Sequence, residues 1–234
     1  MIDYHLHVVA HGDRPMTVEN ILAYCEVAKK RGIRQMGITE HDRYLDDIDV
    51  AAFQEAREKS EDVELRLGIE IDFVPGAEER MDHDGSALPY DYVIGSVHRV
   101  GGEEVDQPLD RSIYEKMDAY DLYAAYYKNV RLAALSGRFD VLGHPDLIKI
   151  FKTFPDRDIT PILEETADAV AESGIVVDVN AAGVESGPVE DDLAPRKVHD
   201  PRLELLEVGV AQEQLLRHSG RVPRSWSLKV TTSV

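Results

Sequence analysis

The sequence predicts an α/β fold in which parallel strands are connected by crossover helices. Short runs rich in β-branched residues alternate with helical patterns as far as about residue 180. A chain of 234 residues suits one domain with a sizeable core. Histidine and glutamate residues stand at the ends of successive strand candidates, where parallel strands of a barrel open onto a common site.

The strand candidates are runs of β-favouring residues bounded by turn-forming residues. In chain order they are MIDYH (1–5), IRQMGIT (33–39), VELRLGIEIDF (63–73), YDYVIGSV (90–97), FDVLGH (139–144) and GIVVDVNA (174–181). The chain shows no internal repeat and no long low-complexity linker, so we expect these strands to belong to one sheet.

Apolar residues that recur three or four positions apart predict the connecting helices. The helix candidates are 17–30, 49–62, about 110–135 and 160–173. Thr17 and Thr160 are expected to cap the first and last of them, and Gly32 to end the first. Cys25 falls on the apolar stripe of the first helix, so packing is its expected role.

Composition excludes several classes of partner. The net charge of −19 argues against binding a nucleic-acid backbone. No apolar run approaches the roughly 18–20 residues that cross a bilayer, and the polar N-terminus does not resemble a secretory signal. A single cysteine suits a reducing compartment, so the sequence predicts a cytoplasmic protein.

The polar residues at the strand ends predict a metal site. They are His5 and His7 after the first strand, His41 after the second, Glu70 in the third, His98 after the fourth and His144 after the fifth. Alternate strand residues point to one side, so both histidines of the first strand can face the same cavity. Imidazoles suit Zn, Mn or Fe, and a carboxylate can bridge two cations. Two or three such ions can convert a bridging water to hydroxide and stabilise a phosphoryl group.

Substrate contacts are less clearly marked in the sequence. Arg99 follows His98, and Lys149 and Lys152 follow His144, so each is a candidate for contact with a phosphate group. The alternative is that these basic side chains are simply solvated. His83 lies in a polar stretch and is expected to be an exposed loop residue.

The motifs that carry these residues resemble the polymerase-and-histidinol-phosphatase (PHP) superfamily, and within it the histidinol-phosphatase family. They are DYHLH (3–7), GITEHD (37–42), GIEIDFVPG (68–76), DYVIGSVH (91–98), GHPDLIK (143–149) and DVNAAG (178–183). The resemblance covers the first three-quarters of the chain. It implies a distorted (β/α)7 barrel, two or three divalent metal ions, and hydrolysis of L-histidinol phosphate in histidine biosynthesis. The implied nucleophile is a metal-activated hydroxide, and no side chain is identified as catalytic.

The resemblance also implies which residues bind the metal ions. The family's ligands fall on His5, His7, His41, Glu70, His98 and His144. The family places a further ligand eight residues after its first histidine, which is Asp13 here. Asp13 is therefore preferred over His11, whose expected role is a contact with the phosphate or with a ligand.

The C-terminal part of the chain departs from the family pattern. The family ends on a strand whose Asp-x-His completes the metal site, and this chain has no Asp-x-His after Gly183. Residues 196–234 carry a net charge of +3, whereas the rest of the chain carries −22. We therefore divide the chain into a PHP phosphoesterase barrel (1–184), incomplete at its last strand, and an atypical segment (185–234). A shifted reading frame or a diverged tail would each explain the segment.

Two alternative functions stay open at this level. One is a PHP phosphoesterase acting on nucleotides or nucleic-acid ends, against which the acidic charge argues. The other is an inactive metal-binding remnant, suggested by the missing Asp-x-His. The expected partner is a small phosphate ester, with no nucleic acid and no membrane. The sequence does not indicate an oligomeric state.

Overall fold

A computed structural model describes residues 2–10 and 14–178 of the chain. Six parallel strands form one sheet in the order β1-β2-β3-β4-β7-β8, confirming the predicted α/β class with an incomplete barrel. They are β1 (Ile2–Asp3), β2 (Gln35–His41), β3 (Glu64–Asp72), β4 (Tyr92–Ser96), β7 (Val141–Leu142) and β8 (Val176–Val177). Because all six run the same way, their carboxyl ends meet at one edge of the sheet.

The three central strands set the register of that edge. β2 and β3 pair over seven positions, and the last pair is His41 with Glu70. On the other side of β3, Asp72 pairs with Ser96 at the end of β4. Main-chain pairing thus aligns the carboxyl ends of β2, β3 and β4, which carry predicted ligands, at the same edge of the sheet.

Helices cover the sheet, and all but the third lie where the apolar periodicity predicted a helix. They are α1 (Val18–Lys30), α2 (Val50–Lys59), α3 (Glu78–Ser86), α4 (Ser112–Lys116), α5 (Ala119–Leu135) and α6 (Thr160–Ser173). Thr17 caps α1, as predicted, by accepting a hydrogen bond from the main-chain N–H of Asn20. Gly32 follows α1 with φ +72°, a conformation that glycine adopts readily.

The predicted long helix over 110–135 is wrong as a single element. It divides into α4 and α5, because Met117 takes an extended conformation and the carboxylate of Asp118 accepts the amides of Tyr120 and Asp121. The predicted cap of α6 is also wrong by one residue. Thr160 is the first helical residue, and its amide donates to the carboxylate of Asp158.

Two further elements were not predicted. Strands β5 (Arg99–Val100) and β6 (Glu103–Glu104) form a small antiparallel hairpin next to His98. Gly101 and Gly102 make its turn at φ +60° and +89°. His83, predicted in an exposed loop, is exposed but lies in α3.

The ring of Tyr92 lies against β2 and β3, below the strand ends that carry the predicted ligands. A Cβ at Gly37 would lie 1.9 Å from the hydroxyl of Tyr92, and one at Gly68 would lie 2.4 Å from its Cζ. These two glycines on β2 and β3 therefore make the room for the ring. The Tyr92 hydroxyl donates to the carbonyl of Tyr4 at 2.6 Å and also contacts the hydroxyl of Thr39. The main chain just before His5 is fixed by this contact.

No helix among the described residues is long and apolar enough to cross a membrane. The predicted atypical segment (185–234) and its boundary with the barrel lie outside residues 2–10 and 14–178.

Candidate metal centre

Glu70 lies at the middle of the predicted site and is fully buried. Five imidazoles surround its carboxylate, and their nearest nitrogens lie 3.0–3.5 Å from a carboxylate oxygen. They belong to His5, His7, His41, His98 and His144. The structure therefore brings together all six predicted ligands that lie in the described part of the chain. Sequence analysis also named Asp13 and His11, which lie outside it.

The donor atoms divide into two groups that share Glu70. In one, single ligand atoms of His5, Glu70 and His144 all lie within 4.8 Å of one another, and in the other those of His7, His41 and Glu70 do. The imidazole rings pair in the same way. The rings of His7 and His41 stack at 4.5 Å and 9°, and those of His5 and His144 at 5.3 Å and 24°. Two three-donor groups with one common carboxylate fit two neighbouring cations.

His98 lies between the two groups. Its ring meets that of His41 edge-on at 5.3 Å and that of His144 edge-on at 5.1 Å. Its Nε2 is 3.5 Å from Oε1 of Glu70. His98 is therefore a further donor that the cluster offers, through the nitrogen that faces Glu70.

Two further carboxylates are hydrogen-bonded to imidazole nitrogens that face away from Glu70. The Nδ1 of His5 is hydrogen-bonded to Asp178 at 2.9 Å, and the Nδ1 of His98 is hydrogen-bonded to Asp72. In each case the opposite nitrogen faces Glu70. A carboxylate on the outer nitrogen is the usual companion of a metal-binding histidine, because it fixes the tautomer and the ring orientation.

The electrostatics of the cluster are those of a buried charge with many partners. Burial by itself raises the pKa of Glu70, but the imidazoles of His5 and His144 outweigh it and hold that pKa well below its usual range. Burial by itself lowers the pKa of His5, yet Glu70 and Asp178 raise it well above its usual value. In the same way, Asp72 and Glu70 raise the pKa of His98 against the effect of burial.

The donor set fits divalent cations better than it fits a hydrogen-bond network. The Nδ1 of His144 is buried without a hydrogen-bond partner among the described residues, although an imidazole nitrogen normally finds one. Five imidazoles that converge on one carboxylate are also the kind of donor set that Zn, Mn or Fe binds in proteins.

The sequence comparison identifies the family. The profile of the PHP domain matches residues 3–182. The chain belongs to the PHP domain family. The match includes every strand that contributes to the cluster, so these six residues are positioned by the part of the chain that carries the PHP domain.

Two relatives of this PHP chain are named probable histidinol-phosphatase. The protein of Deinococcus radiodurans is 42% identical over 122 residues, which is 52% of this chain and 46% of that protein. The protein of Clostridium acetobutylicum is 24% identical over 210 residues, covering 83% of this chain and 78% of that protein. The aligned region thus spans about half of the Deinococcus relative.

Solved structures share the PHP fold. A candidate histidinol phosphatase of Listeria monocytogenes superposes with a TM-score of 0.61 at 17% identity, covering 79% of this chain and 84% of that one. A histidinol phosphate phosphatase of Lactococcus lactis, solved with zinc, L-histidinol and phosphate, gives a TM-score of 0.57 at 19% identity. That match covers 88% of this chain and 77% of the other. At these identities the likeness concerns the fold.

The basic residues of the PHP chain named for phosphate contact differ in their surroundings. Arg99 pairs with Glu104 on the hairpin, and its Nε lies 3.5 Å from Asp72, the partner of His98. Lys149 lies at the end of the short 3-10 helix Leu147–Lys149 that follows His144, 3.8 Å from Asp146. Arg99 thus forms ion pairs with two carboxylates, while Lys149 has one ion pair among the described residues, at 3.8 Å.

Sequence analysis missed three acidic residues of this site: Glu40, Asp72 and Asp178. Alternation along β3 was a usable signal for Asp72, since it stands two residues after Glu70. Glu40 and Asp178 stand within the GITEHD and DVNAAG motifs, but no local pattern indicates their roles, because their partners lie about 30 and 173 residues away. Cys25, predicted to pack, is indeed buried in the core on the inner face of α1.

Proposed function

We propose that this protein is a metal-dependent phosphomonoesterase that hydrolyses L-histidinol phosphate to L-histidinol and phosphate. The observation that carries the proposal is the sharing of Glu70 between two three-donor groups at the carboxyl ends of parallel strands. The names of the two relatives support it, as does the Lactococcus enzyme, which was solved with zinc, L-histidinol and phosphate.

The proposed ligands are the residues predicted from the sequence. His5, Glu70 and His144 hold one divalent ion, and His7, His41 and Glu70 hold a second, with His98 between them. Asp13 is the proposed additional ligand. The proposed number of divalent ions is two or three. The donor set suits Zn, Mn or Fe. When bound, such ions activate water for attack on phosphorus and offset the charge of the phosphate oxygens.

The protein's own groups position the reactants. Glu70 places one negative charge between the two groups of imidazoles and so favours two cations at short separation. Asp178 and Asp72 fix the rings of His5 and His98. Lys149 is the proposed contact for the phosphate, with His11 as a further contact. Arg99 keeps its proposed role near the phosphate, although its two carboxylate partners favour an effect through Asp72.

The division of the chain belongs to the same proposal. Residues 1–184 form the phosphoesterase barrel, and residues 185–234 form an atypical segment that arises from a shifted frame or a diverged tail. The family match, which ends at residue 182, supports the boundary. Resequencing the gene tests the segment: a family-like ending in another frame supports the shift, and its absence from every frame supports divergence. The lone Cys25 and the small charged substrate support a cytoplasmic location.

One experiment tests the function. The purified full chain is analysed for bound metal, and phosphate release is measured from histidinol phosphate, nucleoside monophosphates and nucleoside bisphosphates. Bound metal with turnover that prefers histidinol phosphate supports the proposal. Preference for the nucleotides overturns the substrate and favours a nucleotide phosphoesterase. Bound metal without turnover on any ester overturns the activity and identifies an inactive remnant.

A further inference from the structure

Glu40 is a buried carboxylate next to His41, and sequence analysis assigned it no role. Only 1% of its surface is exposed. Its Oε1 accepts the amides of Val8 at 2.6 Å and Val9 at 2.9 Å, and its Oε2 accepts the amide of Ala10 at 3.0 Å. Three consecutive main-chain N–H groups therefore bind one side chain from another strand. Hydrogen bonds to an ionised carboxylate are stronger than those between neutral groups.

The position of Glu40 links two proposed ligands of one ion. Glu40 is the residue before His41, and the amides that it binds begin at the residue after His7. The rings of His7 and His41 stack at 4.5 Å and 9°. The carboxylate thus joins the two chain segments from which these stacked imidazoles project.

Glu40 does not take the place of a ligand. Alternation along β2 puts it on the opposite face from Thr39 and His41. Its Oε2 lies 3.9 Å from Nδ1 of His7, whose Nε2 faces Glu70, so the imidazole stands between the two carboxylates. Both of its oxygens are occupied by main-chain amides.

We propose that Glu40 is a positioning residue that holds His7 against His41 and so sets the geometry of the second ion site. This inference rests on the metal centre of the proposed function and assigns a selective role within it. The group of His5, Glu70 and His144 is anchored instead by Asp178. Removing the carboxylate of Glu40 therefore affects one ion site and spares the other.

The test is a cobalt titration of the metal-free full chain, followed by visible absorption. Wild-type protein is expected to bind two Co²⁺ ions, because two donor groups are present. In Glu40→Gln the ion of the His7 and His41 group is expected to bind about 10- to 100-fold more weakly, the range seen when the partner of a metal ligand is lost. The other ion keeps its affinity. The spectrum of Glu40→Gln at one equivalent should match that of His41→Ala and differ from that of His144→Ala.

Asp140→Asn is the matched control. Asp140 also accepts a main-chain amide with its carboxylate, that of Val93 at 2.9 Å, but it precedes β7 at the opposite edge of the sheet. Both ions are expected to bind this variant as they bind wild type. Circular dichroism of the metal-free variants checks their folding. If Glu40→Gln does not fold, Glu40→Asp, which keeps the charge on a shorter side chain, is titrated under the same criteria.

The outcomes separate this inference from the proposed function. Two ions in wild type and unchanged binding of both in Glu40→Gln overturn the role of Glu40 and leave the metal centre intact. Equal weakening of both ions overturns the selective role. Fewer than two ions in wild type overturn the two-ion centre itself, and this inference with it.

Discussion

The Nδ1 of His5 lies 2.9 Å from Oδ2 of Asp178, although the two residues are 173 positions apart. His5 follows β1 and Asp178 follows β8, and these strands lie at opposite ends of the sheet order. Their contact requires the sheet to curl until its two ends approach each other. Within the described residues β1 and β8 do not pair with each other, and the hydrogen bond between His5 and Asp178 connects these two ends of the sheet.

Replacing Asp178 with alanine should weaken binding of the ion at His5 by about 10- to 100-fold, because the ring loses the carboxylate that orients it. Isothermal titration with Zn²⁺ measures the change. Asp82→Ala is the control, since Asp82 forms only an exposed ion pair with Arg138 and should leave the affinity unchanged. Equal affinities in Asp178→Ala and wild type would contradict the role given to Asp178.

Glu70→Gln should abolish tight binding of both ions, since the carboxylate of Glu70 is common to the two donor groups. Phosphate release should fall by at least ~100-fold, as expected when a charge that stabilises the reacting centre is lost. Metal content and turnover are measured on the same preparation. Glu64→Gln, on the exposed start of the same strand, should retain both. A Glu70→Gln protein with two tightly bound ions would contradict the shared-carboxylate arrangement.

Tyr92→Phe should lower the free energy of unfolding by about 0.5–1.5 kcal/mol, because the carbonyl of Tyr4 and the hydroxyl of Thr39 each lose one buried partner and keep only the hydrogen bond to each other. Urea denaturation of the metal-free protein measures the change. Tyr90→Phe is the matched control, since its buried hydroxyl has no hydrogen-bond partner among the described residues. A larger loss in Tyr90→Phe than in Tyr92→Phe would contradict the account of the sheet interior.

Metal affinity should increase as the pH rises from about 6 to 8. Glu70 raises the pKa of His5 and, with Asp72, that of His98, so both imidazoles hold protons above their usual range in the metal-free protein. A cation must displace these protons, and each binding event should release about one or more of them. Titrations in two buffers of different ionisation enthalpy count the protons. An affinity independent of pH would contradict this competition.

Lys149→Met should raise KM for histidinol phosphate by about tenfold with a smaller change in kcat, if its ammonium group contacts the phosphate in both the ground and transition states. Arg99→Met should instead lower kcat, because Arg99 reaches the centre through Asp72 and His98. Steady-state kinetics of both variants separate the two effects. A raised KM in Arg99→Met alone would reverse the assignment.

Local periodicity was sufficient for most elements and for the ligands within the described residues. The apolar stripe and the Thr17 cap located α1, and the strand ends located Glu70 and the five histidines that prove to lie around its carboxylate. Periodicity failed at Met117 and Asp118, where α4 ends and the Asp118 carboxylate caps the start of α5 within an unbroken apolar pattern. It also gave no signal for the hairpin of β5 and β6, whose strands have two residues each.

The sequence by itself determined the six donor side chains that meet at the centre, because residue type and strand alternation are local properties of the chain. Only the tertiary structure decided how these side chains contact one another. Glu70 lies between two groups of imidazoles, Asp178 is hydrogen-bonded to His5, and Glu40 accepts main-chain amides that follow His7. These relationships depend on strand register and on the curl of the sheet, which bring together residues from 30 to 173 positions apart. Long-range pairing of this kind leaves no mark in any single stretch of sequence.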